Sequence, residues 1–253
     1  MKISIITPSF NQADYIDQTI KSVLSQRGDF KVEMIVVDGG SNDGTIEILK
    51  RYGSDIVWVS EKDKGQADAI NKGIELCTGD IIGWLNSDDI YLENSFQKIS
   101  SFFNSNVKCE WLFGKCKIID VKNDEIRSFI TKYKNYYLSK YSYKRLLIEN
   151  FISQPAVFFR KSLFNKVGCL NIHFNYAMDY DLWLRFGKQA DPYFINDYLS
   201  AFRIHTDSKG EQNYKHQFKE EYKIATVYTQ SKIIKLFHWL NIWKIILAYK
   251  LIK

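Results

Sequence analysis

The sequence predicts an α/β fold with a mostly parallel central sheet flanked by helices. Two observations carry that prediction. Over the first 90 residues, short apolar, β-branched runs alternate with stretches whose apolar residues recur at helical spacing. The polar residues that follow each run (Ser9 and Asn11, Asp38, Glu61 and Asp63, then Asn86, Asp88 and Asp89) would collect at one rim of such a sheet. Ligands bind beyond the carboxyl ends of parallel strands, so that rim is the candidate site.

The elements follow in order. Residues 2–7 form a buried strand that Pro8 ends. Residues 11–26 place Tyr15, Ile16, Ile20, Val23 and Leu24 at helical spacing. Residues 32–37 form a strand running into the turn Asp38-Gly39-Gly40. A short helix over 45–52 turns Ile46 and Leu49 inward, and 56–60 is a strand. Residues 66–77 are helical, with Ala67, Ile70 and Ile74 inward, and Thr78-Gly79-Asp80 stops them before a strand at 81–85. Past about residue 110 the pattern weakens. Strands are expected at 111–120, at 156–160 and within 194–204, and a helix over 179–186.

Composition bounds the function. The chain has 253 residues, 45% apolar and 25% charged, enough to bury a full core, which excludes wholesale disorder. Four cysteines, Cys77, Cys109, Cys116 and Cys169, show no CxxC pair, and no histidine lies at zinc spacing. The apolar start is too short for a signal peptide, and no run of 18 uncharged apolar residues exists. Reduced thiols in the cytoplasm are expected.

Three segments carry chemistry. Ser87-Asp88-Asp89 follows a buried strand, and hard oxygen ligands of this kind suit Mg²⁺ or Mn²⁺ on a diphosphate. The alternative is a helix start at Asp88-Asp89-Ile90-Tyr91-Leu92, capped by the acids. Asp38-Gly39-Gly40-Ser41-Asn42-Asp43-Gly44-Thr45 is a glycine-punctuated turn in which Asp38 suits a nucleobase or ribose hydroxyl. Its alternative is an ordinary turn with Asp43 capping the next helix. Neither a Walker loop nor a GxGxxG loop is present. Asp179, ahead of Leu182 and Trp183, suits either a helix cap or a general base.

Four blocks make the combination specific: Thr7-Pro8-Ser9-Phe10-Asn11, Val36-Val37-Asp38 through Thr45, Ser60-Glu61-Lys62-Asp63 through Gly73, and Trp84-Leu85-Asn86-Ser87-Asp88-Asp89. In that order they resemble family 2 glycosyltransferases of the GT-A fold, closest to those building bacterial O-antigen and capsular polysaccharide. The resemblance covers residues 1 to about 207. It implies that Pro8, Ser9 and Asn11 line the nucleotide pocket and that Asp38 holds uracil or ribose. Asp63 and Asp68 would flank the nucleotide, Asp88 would contact sugar or ribose, and Asp89 would bind the divalent cation, Mn²⁺ or Mg²⁺. Asp179, in Ala177-Met178-Asp179-Tyr180-Asp181-Leu182-Trp183, takes the place of the family's catalytic base, although Met178 stands where the family usually has Glu. Asp181 is the second candidate base. Phe202-Arg203-Ile204-His205 resembles the closing Arg-x-His segment, with His205 on the metal and Arg203 on phosphate. Gln154, in Gln154-Pro155-Ala156, borders the acceptor site. The implied reaction is an inverting, metal-assisted transfer from a UDP-sugar to a lipid-linked saccharide hydroxyl.

The net charge of +6 has a location. Residues 128–148 and 229–253 each hold five Lys or Arg and no acid, leaving 25 basic against 29 acidic residues elsewhere, or −4. The 229–253 stretch mixes lysines with Trp239, Trp243 and many aliphatics. It fits an interfacial basic amphipathic helix at the inner face of the cell membrane, with packing on the domain or on a second subunit as the alternative. The expected organisation is one domain over 1–225, with a nucleotide half to about 110 and an acceptor half from 111, followed by a helical appendage over 226–253. Nucleic acid is not an expected partner. A nucleotidyltransferase would want a basic glycine-rich loop after the first strand, which Thr7–Asn11 lacks. Asp38, Asp89 and Asp179 together argue against a degenerate binding scaffold.

Overall fold

The computed structural model describes residues 1–206 and 208–252. Asp207 and Lys253 lie outside the described residues, as do the Lys250 side chain and its neighbours at the end of the C-terminal basic stretch. Eight strands form one sheet: β1 (Lys2–Ser9), β2 (Lys31–Asp38), β3 (Val57–Ser60), β4 (Ile81–Trp84), β5 (Ile90–Tyr91), β6 (Trp111–Ile119), β7 (Val157–Arg160) and β8 (Tyr193–Arg203). Their spatial order is β3-β2-β1-β4-β7-β6-β8-β5. The strands from β3 to β4 are parallel, β7 runs against both its neighbours, β6 and β8 are parallel, and β5 is antiparallel to β8.

This order brings one sheet edge together. The carboxyl ends of β1 to β4, β6 and β8 share it, as do the amino ends of the reversed strands β5 and β7. Asp89 precedes β5 and Gln154 precedes β7, so both arrive at the rim that receives Ser9 and Asp38. The chain winds outward from β1 to β3 and returns to β4, making the gap beside β1 a topological switch point.

Burial on both faces explains the strand sequences. Alternate residues of β1, β2 and β4 enter two cores: Ile3, Ile5, Met34, Val36 and Ile81 on one side, Ile6, Ile35, Val37, Ile82 and Trp84 on the other. The first core is closed by α1 (Ile16–Leu24), α2 (Thr45–Arg51) and α4 (Ser95–Ser105), through residues such as Ile20, Leu49 and Phe96. The second is closed by α3 (Gln66–Leu76), α6 (Tyr143–Leu146), α7 (Lys161–Val167), α8 (Met178–Gln189) and α9 (Lys209–Tyr228). Between β6 and α6 lies α5 (Ser128–Leu138), so much of the Tyr/Lys stretch is helical. The last helix, α10 (Lys232–Ile252), is docked through His238, whose Nδ1 donates to the Leu147 carbonyl at 2.7 Å. Its other face exposes Ile233, Leu236, Trp239 and Trp243. No helix among the described residues is long and apolar enough to cross a membrane. All four cysteines are free.

Two local expectations change. Pro8 does not end the first strand, which continues to Ser9. Pairing of β1 with β4 stops at Ile6, so Pro8 lies where only β2 is a neighbour and its missing N–H costs no bond on the β4 side. Asp88-Asp89-Ile90 does not start a helix either. Ile90 and Tyr91 pair with Ala201 and Ser200 of β8, because the short turn delivers them to an open sheet edge.

The sheet is tightest at Gly83 of β4. A Cβ there would meet Phe158 Cε1 at 2.7 Å, Ile5 Cδ1 at 2.8 Å and the Tyr91 hydroxyl at 2.8 Å. Gly83→Ala is therefore expected to destabilise the protein by about 1–3 kcal/mol, as an overpacked core does. Urea unfolding should show a lower midpoint with an unchanged slope.

Candidate active site

The turn between β4 and β5 is built by its neighbours. Asn86 Oδ1 accepts from Gln66 Nε2 at 2.8 Å and from Trp84 Nε1 at 2.9 Å. The Thr19 hydroxyl lies 2.9 Å from the Ser87 carbonyl and 2.7 Å from that of Asp89. Arg203, fully buried at the end of β8, does most of the holding. Its N–H donates to Asp89 Oδ1 at 2.9 Å and its Nε to the Asp88 carbonyl at 2.7 Å. Its Nη1 reaches the Asp120 carbonyl and Asn123 Oδ1, and its Nη2 reaches Gln18 Oε1. The guanidinium is thus committed to protein acceptors and acts as the frame of the acidic turn.

Asp88 and Asp89 occupy different surroundings. Asp89 is completely buried, and burial followed by the neighbouring Asp88 charge pushes its pKa well above the usual carboxylate range, against the pull of Arg203. Asp88 keeps some exposure, and its Oδ2 lies 3.0 Å from His205 Nε2. His205 is buried against the Tyr15 ring, with centroids 4.6 Å apart, and its Nδ1 is buried without a hydrogen-bond partner. Among the described residues no three His, Cys, Asp or Glu groups are already gathered as a metal cage. The donor types nevertheless fit a divalent cation: two adjacent carboxylates repel each other without one, and an imidazole stands beside them.

On the nucleotide side, Asp38 is fully buried and shapes the glycine turn. Its Oδ2 accepts from Gly40 N at 3.0 Å, Ser41 N at 2.8 Å and Ser60 Oγ at 2.7 Å, while its Oδ1 accepts from the Ser41 hydroxyl. Asn11 clasps the same turn, its N–H donating to Ser41 Oγ at 2.7 Å and its Oδ1 accepting from Asn42 N at 3.0 Å. Asp43 does act on the start of α2, accepting from Thr45 N at 3.0 Å, and it also ties in Ala13 N at 2.9 Å. Pro8 and Ser9 are buried at the end of β1, and Ser9 Oγ has no partner. Asp63 stands opposite Gly39, where a Cβ would come within 2.9 Å of its Oδ2. The exposed Phe10 ring lies against the same glycine. Asp68 sits one turn back, accepting from Lys64 N at 3.1 Å and facing Lys72 at 3.5 Å.

The third group surrounds Asp179 in the first turn of α8. Its Oδ1 accepts from Tyr180 N at 2.7 Å within that turn, but the cap position belongs to Ala177, so Asp179 does not cap the helix. The free N–H groups just ahead of the helix are taken by Glu220 of α9, which accepts from Asn175, Tyr176 and Ala177 at 3.0, 2.7 and 2.7 Å. Burial pushes the Asp179 pKa up to about 6, opposed by the Tyr180 N–H, Lys134 and the Asn150 amide. Asp181 points elsewhere, held by Arg185 Nε at 3.0 Å and the Tyr228 hydroxyl at 2.7 Å. Gln154 Nε2 donates to the Trp84 carbonyl, and its buried Oε1 has no partner. Gln154 therefore joins the end of β4 to the segment carrying Ser153, which Lys134 contacts at 3.3 Å.

Phe10, Lys134, Asn150, Glu220 and Glu221 were not singled out by motif. Glu221 had a legible signal: with Phe218 and Ala225 it lies on the buried stripe of α9 at helical spacing, where a carboxyl group is out of place. Burial lifts its pKa to about 8.

An α/β sheet of this order, with acidic turns at the switch point, defines a protein of the GT-A fold. The chain belongs to glycosyltransferase family 2: residues 4–168 match the model described as Glycosyl transferase family 2. A Rickettsia typhi protein named as an uncharacterized glycosyltransferase is 30% identical over 206 residues, which cover 80% of this chain and 64% of the relative's length. The chain thus spans less than two thirds of that relative. Two solved structures share the fold at low identity. S. aureus TarS in complex with UDP-GlcNAc superposes with a TM-score of 0.69 at 18% identity, covering 89% of this chain and 66% of that one. The Pyrobaculum calidifontis mannosyltransferase PcManGT, in complex with GDP-Man and Mn²⁺, gives 0.71 at 15% identity, covering 95% and 69%.

Removing the buried guanidinium strands acceptors from several segments. Arg203→Leu is expected to cost about 3–5 kcal/mol, and Arg203→Lys should recover little, since a single ammonium cannot span that fork. Thermal unfolding of both variants checks this.

Proposed function

We propose that this chain is an inverting glycosyltransferase that moves a sugar from a UDP-sugar to a hydroxyl of a lipid-linked saccharide, in building a bacterial surface polysaccharide such as O-antigen or capsule. The observation that carries the reading is Asp179. Burial raises its pKa to about 6, and Lys134, whose charge opposes that rise, contacts Ser153 beside Gln154, which reaches the Trp84 carbonyl at the strand end before Ser87-Asp88-Asp89. This supports a base and an acidic nucleotide-binding turn on one rim.

In this mechanism the glycine turn shaped by Asp38 and Asn11 receives the nucleoside beside Pro8 and Ser9, Phe10 offers an aromatic face to the base, and Asp63 and Asp68 border it. Asp88 faces ribose or sugar. Asp89, with His205 near it, would hold Mn²⁺ or Mg²⁺. A bound cation supplies charge neutralisation on the departing diphosphate. Asp179 takes the proton of the acceptor hydroxyl as its oxygen attacks the anomeric carbon, and the bond to the nucleoside diphosphate breaks in the same displacement. No covalent enzyme nucleophile is needed. Asp181, already bonded to Arg185 and Tyr228, is the weaker candidate base, and Gln154 is placed to border the acceptor.

The free enzyme should lose kcat/KM as pH falls through about 6, because a base with a raised pKa is protonated earlier than an ordinary aspartate. Asp179→Asn should lower kcat by about 10²–10⁴ and abolish that acid limb, while UDP affinity stays unchanged. Mn²⁺-dependent UDP release from UDP-sugars, followed across pH, measures both. Unchanged turnover in the variant would assign the base to another residue, and no turnover in the wild-type protein would leave a binding scaffold.

The exposed apolar face of α10, flanked by Lys232, Lys235 and Lys244, supports peripheral attachment at the inner face of the cell membrane, where a lipid-linked acceptor would be met. The 253-residue chain should pellet with anionic vesicles, and Trp239→Glu with Trp243→Glu should release it. Concentration-dependent self-association that the same pair abolishes, without vesicle binding, would instead assign this face to a homodimer.

A further inference from the structure

Lys134 leaves α5 half-buried, with three N–H donors and one partner among the described residues, Ser153 Oγ at 3.3 Å. No carboxylate of the described residues forms an ion pair with it. Yet its charge is felt by groups on three other elements: Asp179 of α8, Glu221 of α9 and Cys116 of β6. Cys116 also feels Asp89. Ser153 is followed by Gln154, whose amide reaches the Trp84 carbonyl, so the ammonium is tied to the end of β4 that leads into the acidic turn.

Several other basic groups on this side of the sheet are already committed. Arg203 is buried and spread over four acceptors. Arg145 pairs with Glu149 and stacks on Tyr137 at 3.8 Å. Lys117 pairs with Glu125 at 3.1 Å, and Lys115 lies over the Tyr198 ring. A partly desolvated ammonium with unused donors suits an incoming anion, and the anion the site must hold is a diphosphate.

We infer that Lys134 contacts the diphosphate of the nucleotide donor and takes up charge as that group departs, a role that rests on the transferase reading above. It replaces Arg203 as the phosphate-facing cation. Placement on a helix of the acceptor half means that the donor phosphates would bridge the two halves of the sheet.

Isothermal titration with Mn²⁺ present tests this, using UDP and uridine as probes. Lys134→Met should weaken UDP about ten- to a hundredfold, the worth of a charge-assisted hydrogen bond, and leave uridine affinity unchanged. Lys134→Arg should recover part of the loss. Lys134→Gln, which keeps a polar head, provides the comparison if the Met variant does not fold. Equal UDP affinity in a folded Met or Gln variant overturns the inference. If turnover with an acceptor alone then falls, the ammonium serves an acceptor phosphate. A lower melting temperature with normal UDP affinity would mean that Lys134 only offsets Asp179 and Glu221. If the wild-type protein binds no UDP, the UDP-sugar reading on which this inference rests fails with it.

Discussion

One buried cation organises the site. A guanidinium taken out of water is costly unless its donors are matched, and Arg203 meets that condition only when several loops converge. The Asp88 carbonyl, the Asp120 carbonyl, Asn123 and Gln18 come from the turn after β4, the exit of β6 and the first crossover helix. Its own N–H, at the end of β8, adds Asp89. The short edge strand β5 and the position of the acidic turn follow from this convergence. It also makes room for a fully buried Asp89, a group that neither its own burial nor its neighbour Asp88 favours in ionised form.

The opposite wall of the site is made by the C-terminal third of the chain. The family match ends at residue 168, and Asp179 lies beyond it. Glu220 takes the N–H groups ahead of α8, while Glu221 is buried in the same packing. Tyr180 donates to the Leu146 carbonyl and lies near His238, which binds the next carbonyl in the chain, Leu147. The helix carrying the candidate base is therefore braced by α9 and α10 together. A surface helix that looks like an appendage in sequence is part of the support behind the chemistry.

Most of the N-terminal half was readable from pattern, because β1, β2 and β4 are buried on both faces and the helices between them are amphipathic. The segments 31–38, 66–76 and 81–84 came within a residue or two of their expected bounds. The acceptor half was less readable. Its strand β7 runs against both neighbours, and α5 and α6 carry tyrosines and lysines in place of a clean apolar stripe. Asp38 and Asn11 were legible as candidate site residues but not as the clasp of one turn, since that depends on Ser41, Asn42 and Ser60 arriving from two other segments.

The sequence alone determined the α/β class, the family, the order of the acidic turns and the location of the basic surplus. These are local properties, set by periodicity, turn chemistry and residue type. Tertiary structure decided which charges are free. Arg203 and Lys134 are equally basic in the sequence. One is closed inside a ring of carbonyl and amide acceptors, and the other is left, among the described residues, with a single hydroxyl as hydrogen-bond partner. That difference depends on which distant acceptors the fold brings within hydrogen-bond reach.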